Sequence, residues 1–195
     1  GVHLSIIGNV LFHPSSIDAP SMDLLQSSFD MEMHPFSVGG SALLGSLLRG
    51  NKNGIAVADI AFESELEELT SFGDVVVMQS GVNAAGNLIE CNDFGAIVSP
   101  MVPDSGLEMI EDVLGVPTKA TTVAHQDSIG SLLVANNNGI LAHPDVTPTE
   151  ISILESTLKV SLMVGTVTFG SPFVGAGCTS SDSHALVGAG STGPE

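Results

Sequence analysis

The stretch SLLVANNNGILAHP, residues Ser131–Pro144, decides the fold because it consists of two apolar runs joined by an Asn-Asn-Asn-Gly turn. Apolar runs on both sides of an Asn-Gly pair are typical of a β-hairpin. Two similar stretches occur earlier, NLIECNDFGAIVSP at Asn87–Pro100 and SLLRGNKNGIAVAD at Ser46–Asp59. The sequence therefore predicts that one hairpin is built several times.

The spacing of the glycines shows how often the hairpin recurs. One glycine precedes each of these three hairpins, and a second lies in the turn nine residues later. The pairs are Gly45/Gly54, Gly86/Gly95 and Gly130/Gly139. A fourth copy runs from Gly175 to His184, and a fifth copy, one residue shorter, starts at Gly1. The leading glycines are 44, 41, 44 and 45 residues apart, and periods of this length indicate a repeat architecture.

A helical segment and then another extended run follow the hairpins. In TPTEISILESTL, Thr147 and Glu150 are spaced for a capping box, and Pro148 stands at the first helical position. The unit is therefore strand, strand, helix, strand. WD40 blades have no helix and usually contain Trp, which this chain lacks, whereas HEAT repeats are all helical. We expect five ββαβ units to form a closed α/β ring with the helices outside, because closure leaves no exposed strand edge.

The charge of the chain limits its possible partners. The sequence contains 22 acidic and four basic residues, which gives a net charge of −18. Binding to nucleic acid draws on clustered Lys and Arg, so no direct contact with free nucleic acid is expected and a basic partner fits better. Solubility in a salt-rich cytoplasm explains the acidity equally well. No apolar run is long enough for a membrane span, and two cysteines fit a reducing, cytoplasmic setting.

The candidate catalytic and metal-binding residues are better explained by packing. Cys178 shares its position in the repeat with four aliphatic residues, which favours a buried thiol over a nucleophile. Cys91 is interpreted as a small packing residue, and His13 and His143 as strand-end residues of two units that are not neighbours. The acidic residues at Glu63–Glu68 are interpreted as a solvated helix face. No dinucleotide-binding loop and no zinc-binding spacing are present, so no cofactor or metal is expected.

Five motifs, in this order along the chain, resemble the translation initiation factor 6 family in its archaeal form. They are AAGNLIECNDFGAIVSP (84–100), EDVLGVP (111–117), VANNNGILAHPDVTPTE (134–150), GTVTFGSPFVGAG (165–177) and STGPE (191–195). The resemblance covers nearly the whole chain. It implies a pentein-type α/β propeller with five-fold pseudosymmetry, formed by residues 1–195 as a single domain of five ββαβ repeats. The family pattern implies that the first repeat lacks its opening strand and the last lacks its terminal helix.

The resemblance also implies a function that is not enzymatic. The family binds the large ribosomal subunit on the surface that meets the small subunit, and it blocks premature association of the two. Much of the contact is made by a basic ribosomal protein near the sarcin-ricin loop, which agrees with the acidity of this chain. A monomer in the cytoplasm is expected.

The contact residues follow from the same resemblance. Asn87 matches a family position that is implicated in ribosome contact, and Asn92 and Asp93 lie in the hairpin turn that follows. A strand-end hydrogen bond is an equally good explanation for Asn87. The competing functions are a guanidine-modifying enzyme of the same fold, which needs a reactive Cys, a His and two carboxylates at the ring centre, and a paralogue with another protein partner.

Overall fold

The computed structural model describes residues 1–79 and 81–195. The strands of these residues lie at Ser5–Ile7 (β1), Val10–Pro14 (β2), Glu32–Phe36 (β3), Leu48–Gly50 (β4), Gly54–Val57 (β5), Asp74–Val77 (β6), Ile89–Cys91 (β7), Ala96–Val98 (β8), Thr118–Ala120 (β9), Leu133–Ala135 (β10), Ile140–Ala142 (β11), Leu162–Val164 (β12), Cys178–Ser180 (β13) and Ala185–Val187 (β14). They form five small sheets, one for each repeat.

Each sheet begins with a hairpin, as the Asn-Gly turns predict. In the fourth sheet, Leu133 pairs with Ala142 and Ala135 with Ile140 in antiparallel register. The third strand, β12, runs parallel to β11, with Ile140 opposite Leu162. The first three sheets share this order, and the fifth contains the antiparallel pair β13 and β14. A parallel third strand requires a crossover connection, and the helix between the second and third strands supplies it in the first four units.

Two kinds of helix alternate along the chain. The helices lie at Ala19–Ser28 (α1), Leu44–Leu47 (α2), Glu63–Leu69 (α3), Ala85–Leu88 (α4), Asp104–Leu114 (α5), Ile129–Leu132 (α6), Pro148–Leu158 (α7) and Val174–Gly177 (α8). The longer helices, α1, α3, α5 and α7, are the crossovers. The expected capping box of α7 is confirmed, since Glu150 N donates to Thr147 Oγ1 and Thr147 N donates to the Glu150 side chain. The one-turn helices, α2, α4, α6 and α8, precede the hairpins and were not expected from the sequence.

The five sheets close into a ring around one axis. The first strands of the sheets pack in the cyclic order β1, β4, β7, β10, β13 and back to β1. The crossover helix α5 packs on strands of both the second and the third sheet, and α7 packs on strands of the third and the fourth. Ile110 and Leu114 of α5 are buried in these contacts, as are Leu154 and Leu158 of α7. The expected closed ring of five repeated units is confirmed: four are complete ββαβ units, and the fifth contains the hairpin of β13 and β14.

The leading glycines of the repeat lie where the one-turn helices approach one another. A methyl group on Gly86 would overlap the carbonyl oxygen of Gly45, and one on Gly130 would overlap that of Gly86. The same relation joins Gly175 to Gly130 and Gly45 to Gly1. Glycine is therefore required for close backbone approach at this end of the axis.

Candidate functional site

The ring has two ends that differ in structure. The helix end contains the one-turn helices and the tight turns just before α2, α6 and α8, which we call the junction turns. These turns are closed by bridges between Val38 and Ser41, Val123 and Gln126, and Val167 and Ser171. The turn end contains the hairpin turns. The first strand of every unit runs from the helix end to the turn end, so residues before and after that strand lie on opposite sides of the ring.

A ladder of side-chain hydrogen bonds organises the turn end. Asn51 Nδ2 donates to the carbonyl of Asn92, Asn92 Nδ2 to that of Asn136, and Asn136 Nδ2 to that of Ser181, at 3.2, 3.1 and 2.8 Å. Each amide oxygen also accepts from its own turn; for Asn92 the donors are Phe94 N at 2.9 Å and Gly95 N at 3.1 Å. The ladder fixes each hairpin turn to the next.

A second row of polar groups surrounds the opening of the ring at the turn end. Asp93 N donates to Asn137 Oδ1 at 2.9 Å, and Asn137 N donates to Asp182 Oδ1 at 2.8 Å. Lys52 Nζ lies 3.6 Å from Asp93 Oδ2. Together with Asp30, these residues line an open cavity of about 410 Å³. The opening is polar and carries more negative than positive charge.

The structure places the three ribosome-contact candidates on two different ends. Asn87 belongs to α4, at the helix end, whereas Asn92 and Asp93 follow β7, at the turn end. Asn92 is 5% exposed, and its side chain makes four hydrogen bonds within the ring. Asp93 is partly exposed but is engaged by Lys52 and Asn137. The three residues therefore do not form one surface.

Asn87 is partly exposed at the helix end. It is half-buried, and its Oδ1 accepts from Ser131 Oγ of the next unit at a long 3.4 Å. The backbone N–H of Asn87 closes the one-turn helix on the carbonyl of Ala84 at 2.8 Å. The amide NH₂ group of this side chain has no partner among the hydrogen bonds of the described residues. Asn87 can therefore donate to a group that approaches the helix end.

Three buried or partly buried carboxylates hold the junction turns, and the sequence interpretation of one of them was wrong. Glu65, expected on a solvated helix face, is 7% exposed and accepts from Ser37 Oγ at 2.6 Å and Gly39 N at 2.7 Å. Burial alone would raise the pKa of Glu65, but these hydrogen bonds and one from Phe62 N lower it. An ionised carboxylate at this position ties α3 to the turn that precedes α2.

Glu150 and Glu195 repeat this arrangement. Glu150 accepts from Thr122 Oγ1 at 2.7 Å and His125 N at 3.1 Å, in addition to its capping box. Burial opposes the ionisation of Glu150, but the hydrogen bonds outweigh it and lower its pKa to about 2. Glu195 accepts from Gly170 N at 2.6 Å and Thr192 N at 2.7 Å, and its pKa is lowered by these backbone donors. The shared position of these glutamates in the repeat is the signal that could have identified them from sequence.

Each junction turn contains two consecutive residues in left-handed backbone conformation. In two of the three turns neither of these residues is glycine. Gly39 and Gly40 have φ of 59° and 76° in the first junction turn. Thr168 and Phe169 have φ of 50° and 63° in the last one. A non-glycine residue in this region costs on the order of 1–3 kcal/mol, and a β-branched residue is a genuine outlier. The Phe169 side chain is 86% exposed, so burial of its ring does not offset that cost.

The centre of the ring holds a buried ion pair. Arg49 Nη1 lies 3.4 Å from Glu90 Oε2, and Arg49 Nη2 donates to the carbonyl of Gly86 at 3.1 Å. Ala135 N donates to Glu90 Oε1 at 3.2 Å. Burial raises the pKa of Glu90 to about 7 in spite of Arg49. First strands of all five sheets line the cavity of about 30 Å³ around this pair, so it links neighbouring units at the axis.

Both cysteines are buried in the packed interior of the ring. Cys178 is 5% exposed among Val134, Val167 and Val174, and burial raises the pKa of its thiol. Cys91 is also buried and unpaired. No three His, Cys, Asp or Glu side chains in the described parts of the chain are placed to hold a metal ion. None of the helices at 1–79 and 81–195 has the length and apolar character needed to cross a membrane.

Comparison with known protein families gives a match over the full length of the chain. The model of the eIF-6 family matches residues 1–195. The chain belongs to the eIF-6 family.

Relatives within this family come from archaea and plants. This eIF-6 family member is 35% identical to translation initiation factor 6 of Haloquadratum walsbyi, over 100% of this chain and 87% of that protein. It is also 35% identical to translation initiation factor 6 of Picrophilus torridus, over 100% of this chain and 90% of that protein. The likeness to eukaryotic translation initiation factor 6-1 of Arabidopsis thaliana is 38% over 82% of this chain and 66% of that protein.

A solved enzyme structure shares the fold. DDAH from Pseudomonas aeruginosa, a Cys-to-Ser variant complexed with citrulline, matches with a TM-score of 0.61 and 13% identity, over 95% of this chain and 86% of that chain. At this identity the likeness concerns the fold alone, and it confirms the pentein-type propeller. The eIF-6 family member thus has an enzyme as a fold neighbour and translation factors as sequence relatives.

Proposed function

We propose that this eIF-6 family member binds the large ribosomal subunit and sterically blocks its premature association with the small subunit. The observation that carries the proposal is the family match over the whole chain, together with relatives that are named translation initiation factor 6. The closed ring supports a steric mechanism, because a body held by five interlocked units cannot yield easily to an approaching subunit.

The partner surface is proposed to be a basic ribosomal protein near the sarcin-ricin loop. A net charge of −18 repels phosphate groups and attracts a basic protein, and it speeds the encounter between the two. Asn87 supports the helix end as the contact surface, because its side chain keeps an amide donor for a partner. Ribosome contact by Asn92 and Asp93 stays a prediction. The burial of Asn92 argues against a direct contact of its side chain with the ribosome.

The same proposal excludes enzymatic activity in this chain. Arg49 and Glu90 occupy the ring centre, where a guanidine-modifying enzyme of this fold would need its reactive groups. Cys178 is packed among valines with a raised thiol pKa, which makes it a poor nucleophile. The protein is proposed to act as a cytoplasmic monomer formed by one domain.

Co-sedimentation with purified archaeal ribosomal subunits tests the proposal. The protein should pellet with large subunits and not with small ones, and large subunits loaded with it should form fewer complete ribosomes when small subunits are added. Equal pelleting with both subunits, or full association in the presence of saturating protein, would contradict the proposed function.

A charge substitution tests the contact surface. Asn87→Lys introduces a cation and a longer side chain toward a basic partner, so binding to large subunits should weaken while the melting temperature stays unchanged. Asn9→Lys is the matched control, because Asn9 is exposed in the first hairpin turn at the turn end. Similar binding of both variants and the parent would remove the helix end from the interface.

A further inference from the structure

The junction turn before α8 differs from the other two junction turns because it carries an exposed phenyl ring. All three turns have consecutive residues in left-handed backbone: Gly39 and Gly40 in the first, Ala124 and His125 in the turn before α6, and Thr168 and Phe169 in the last. Glycines would form the last turn without steric strain. An exposed phenyl ring in a strained turn requires a reason other than stability.

The ring of Phe169 is held in place although it is exposed. Gly170 N donates to Glu195 Oε1 at 2.6 Å, and Thr168 N donates to Ser191 Oγ at 2.8 Å, so both sides of the turn are fixed. The ring lies over Gly190, where a methyl group would overlap its edge atoms. Phe169 is therefore pre-organised to meet a partner, which lowers the entropic cost of binding.

The surroundings of the ring indicate the chemistry of that partner. Glu195 is ionised, since backbone donors lower its pKa, and it lies at the turn that carries the ring. A second exposed phenyl group, Phe173, follows at the start of α8. A phenyl face next to a carboxylate fits a guanidinium or ammonium group through cation–π and ionic contact. The net charge of −18 favours the same kind of partner.

We propose that Phe169, supported by Glu195, docks an arginine or lysine side chain of a basic protein on the large ribosomal subunit. This inference rests on the proposed function and adds a second contact to Asn87 at the helix end. A protein is favoured over RNA because an acidic surface repels phosphate groups. The strained turn then sets the direction of the ring toward the partner.

The test separates the ring from the strain of the backbone. Phe169→Ala removes the ring and keeps a side chain in the left-handed turn, whereas Phe169→Gly removes the ring and relieves the strain. Both variants should bind purified large subunits at least about tenfold more weakly, because a pre-organised aromatic anchor is lost. Phe169→Gly should melt at the same temperature as the parent or higher, so the weaker binding should not be accompanied by a loss of stability.

The matched control is Phe94→Ala, which removes an exposed phenyl group at the turn end and should leave binding unchanged. Parent-like binding of Phe169→Ala, equal weakening by Phe94→Ala, or parent-like binding to protein-free large-subunit rRNA would overturn the inference. If the parent protein binds no large subunits, the proposed function fails together with the inference. If the parent binds and loss of the ring has no effect, only the inference fails.

Discussion

Replacement of Asn92 by alanine tests whether the ladder at the turn end stabilises the ring. The substitution removes four hydrogen bonds, to the carbonyls of Asn136 and Leu158 and from the amides of Phe94 and Gly95. The bonds with Leu158 and Gly95 are buried, and the other two are partly buried next to the open cavity. Water from that cavity can therefore replace some of the lost partners, but not all of them.

The size of the expected stability loss depends on which of the four hydrogen bonds are buried. A buried group left without its partner costs about 1–3 kcal/mol, whereas a group that water can reach costs much less. Two buried groups give a loss of roughly 2–6 kcal/mol in the free energy of unfolding. With a urea dependence of about 2 kcal/mol per molar, the midpoint of unfolding should fall by about 1–3 M.

Urea unfolding at fixed salt measures this loss. Asp93→Ala is the neighbouring control, because Asp93 is partly exposed and its ion pair with Lys52 is long, at 3.6 Å. Its loss should be less than about 1 kcal/mol. The reasoning is refuted if Asn92→Ala unfolds at the same urea concentration as the parent, or if Asp93→Ala loses as much stability as Asn92→Ala.

Three other substitutions or treatments test separate parts of the structure. Glu90→Gln should be more stable than the parent above pH 7 and no more stable below about pH 4.5. The raised pKa of Glu90 means that the parent loses stability as pH rises from about 4.5 to about 7, and a pH-independent difference between the two proteins would refute this. Glu150→Gln should lose about 2–3 kcal/mol at pH 7 and little at pH 2, since the lowered pKa of Glu150 gives stability that disappears as pH falls from about 4.5 to about 2; melting curves at both pH values decide it. Cys178 should react with a thiol reagent only as fast as the protein unfolds, and rapid stoichiometric labelling of the native protein would support the enzyme interpretation instead.

The sequence predicts those parts of the fold that have a local signal. Asn-Gly turns between apolar runs identify the hairpins, and the spacing of Thr147 and Glu150 identifies the start of α7. The one-turn helices have no such signal. Each is four residues long, none has a side-chain cap, and a four-residue segment shows no helical periodicity.

The site was predictable only in part, because its arrangement depends on contacts between units. The local pattern of glutamates around Glu65 is the same for a solvated helix and for a helix with one buried carboxylate. What distinguishes them lies outside the helix: the turn at Gly39, 26 residues earlier, and the shared position of Glu65, Glu150 and Glu195 in the repeat. Asn87 and Asn92 are close in sequence, but a strand between them separates them across the ring. The strain at Phe169 depends on backbone angles that no local pattern encodes.

The ladder of amide hydrogen bonds at the turn end runs in one direction, and this gives the ring an order of local opening. Asn51, Asn92 and Asn136 each donate to the following unit, but Ser181 has a hydroxyl in place of an amide and ends the series. A turn in the middle is held both by its own donation and by the donation it receives. The fifth hairpin receives without donating onward, and the first hairpin takes no part in the ladder, so the amides of these two hairpins should exchange with solvent before those of the third and fourth hairpins. The free energy of local opening therefore differs between the repeats of the pseudosymmetric ring, although their backbones are alike.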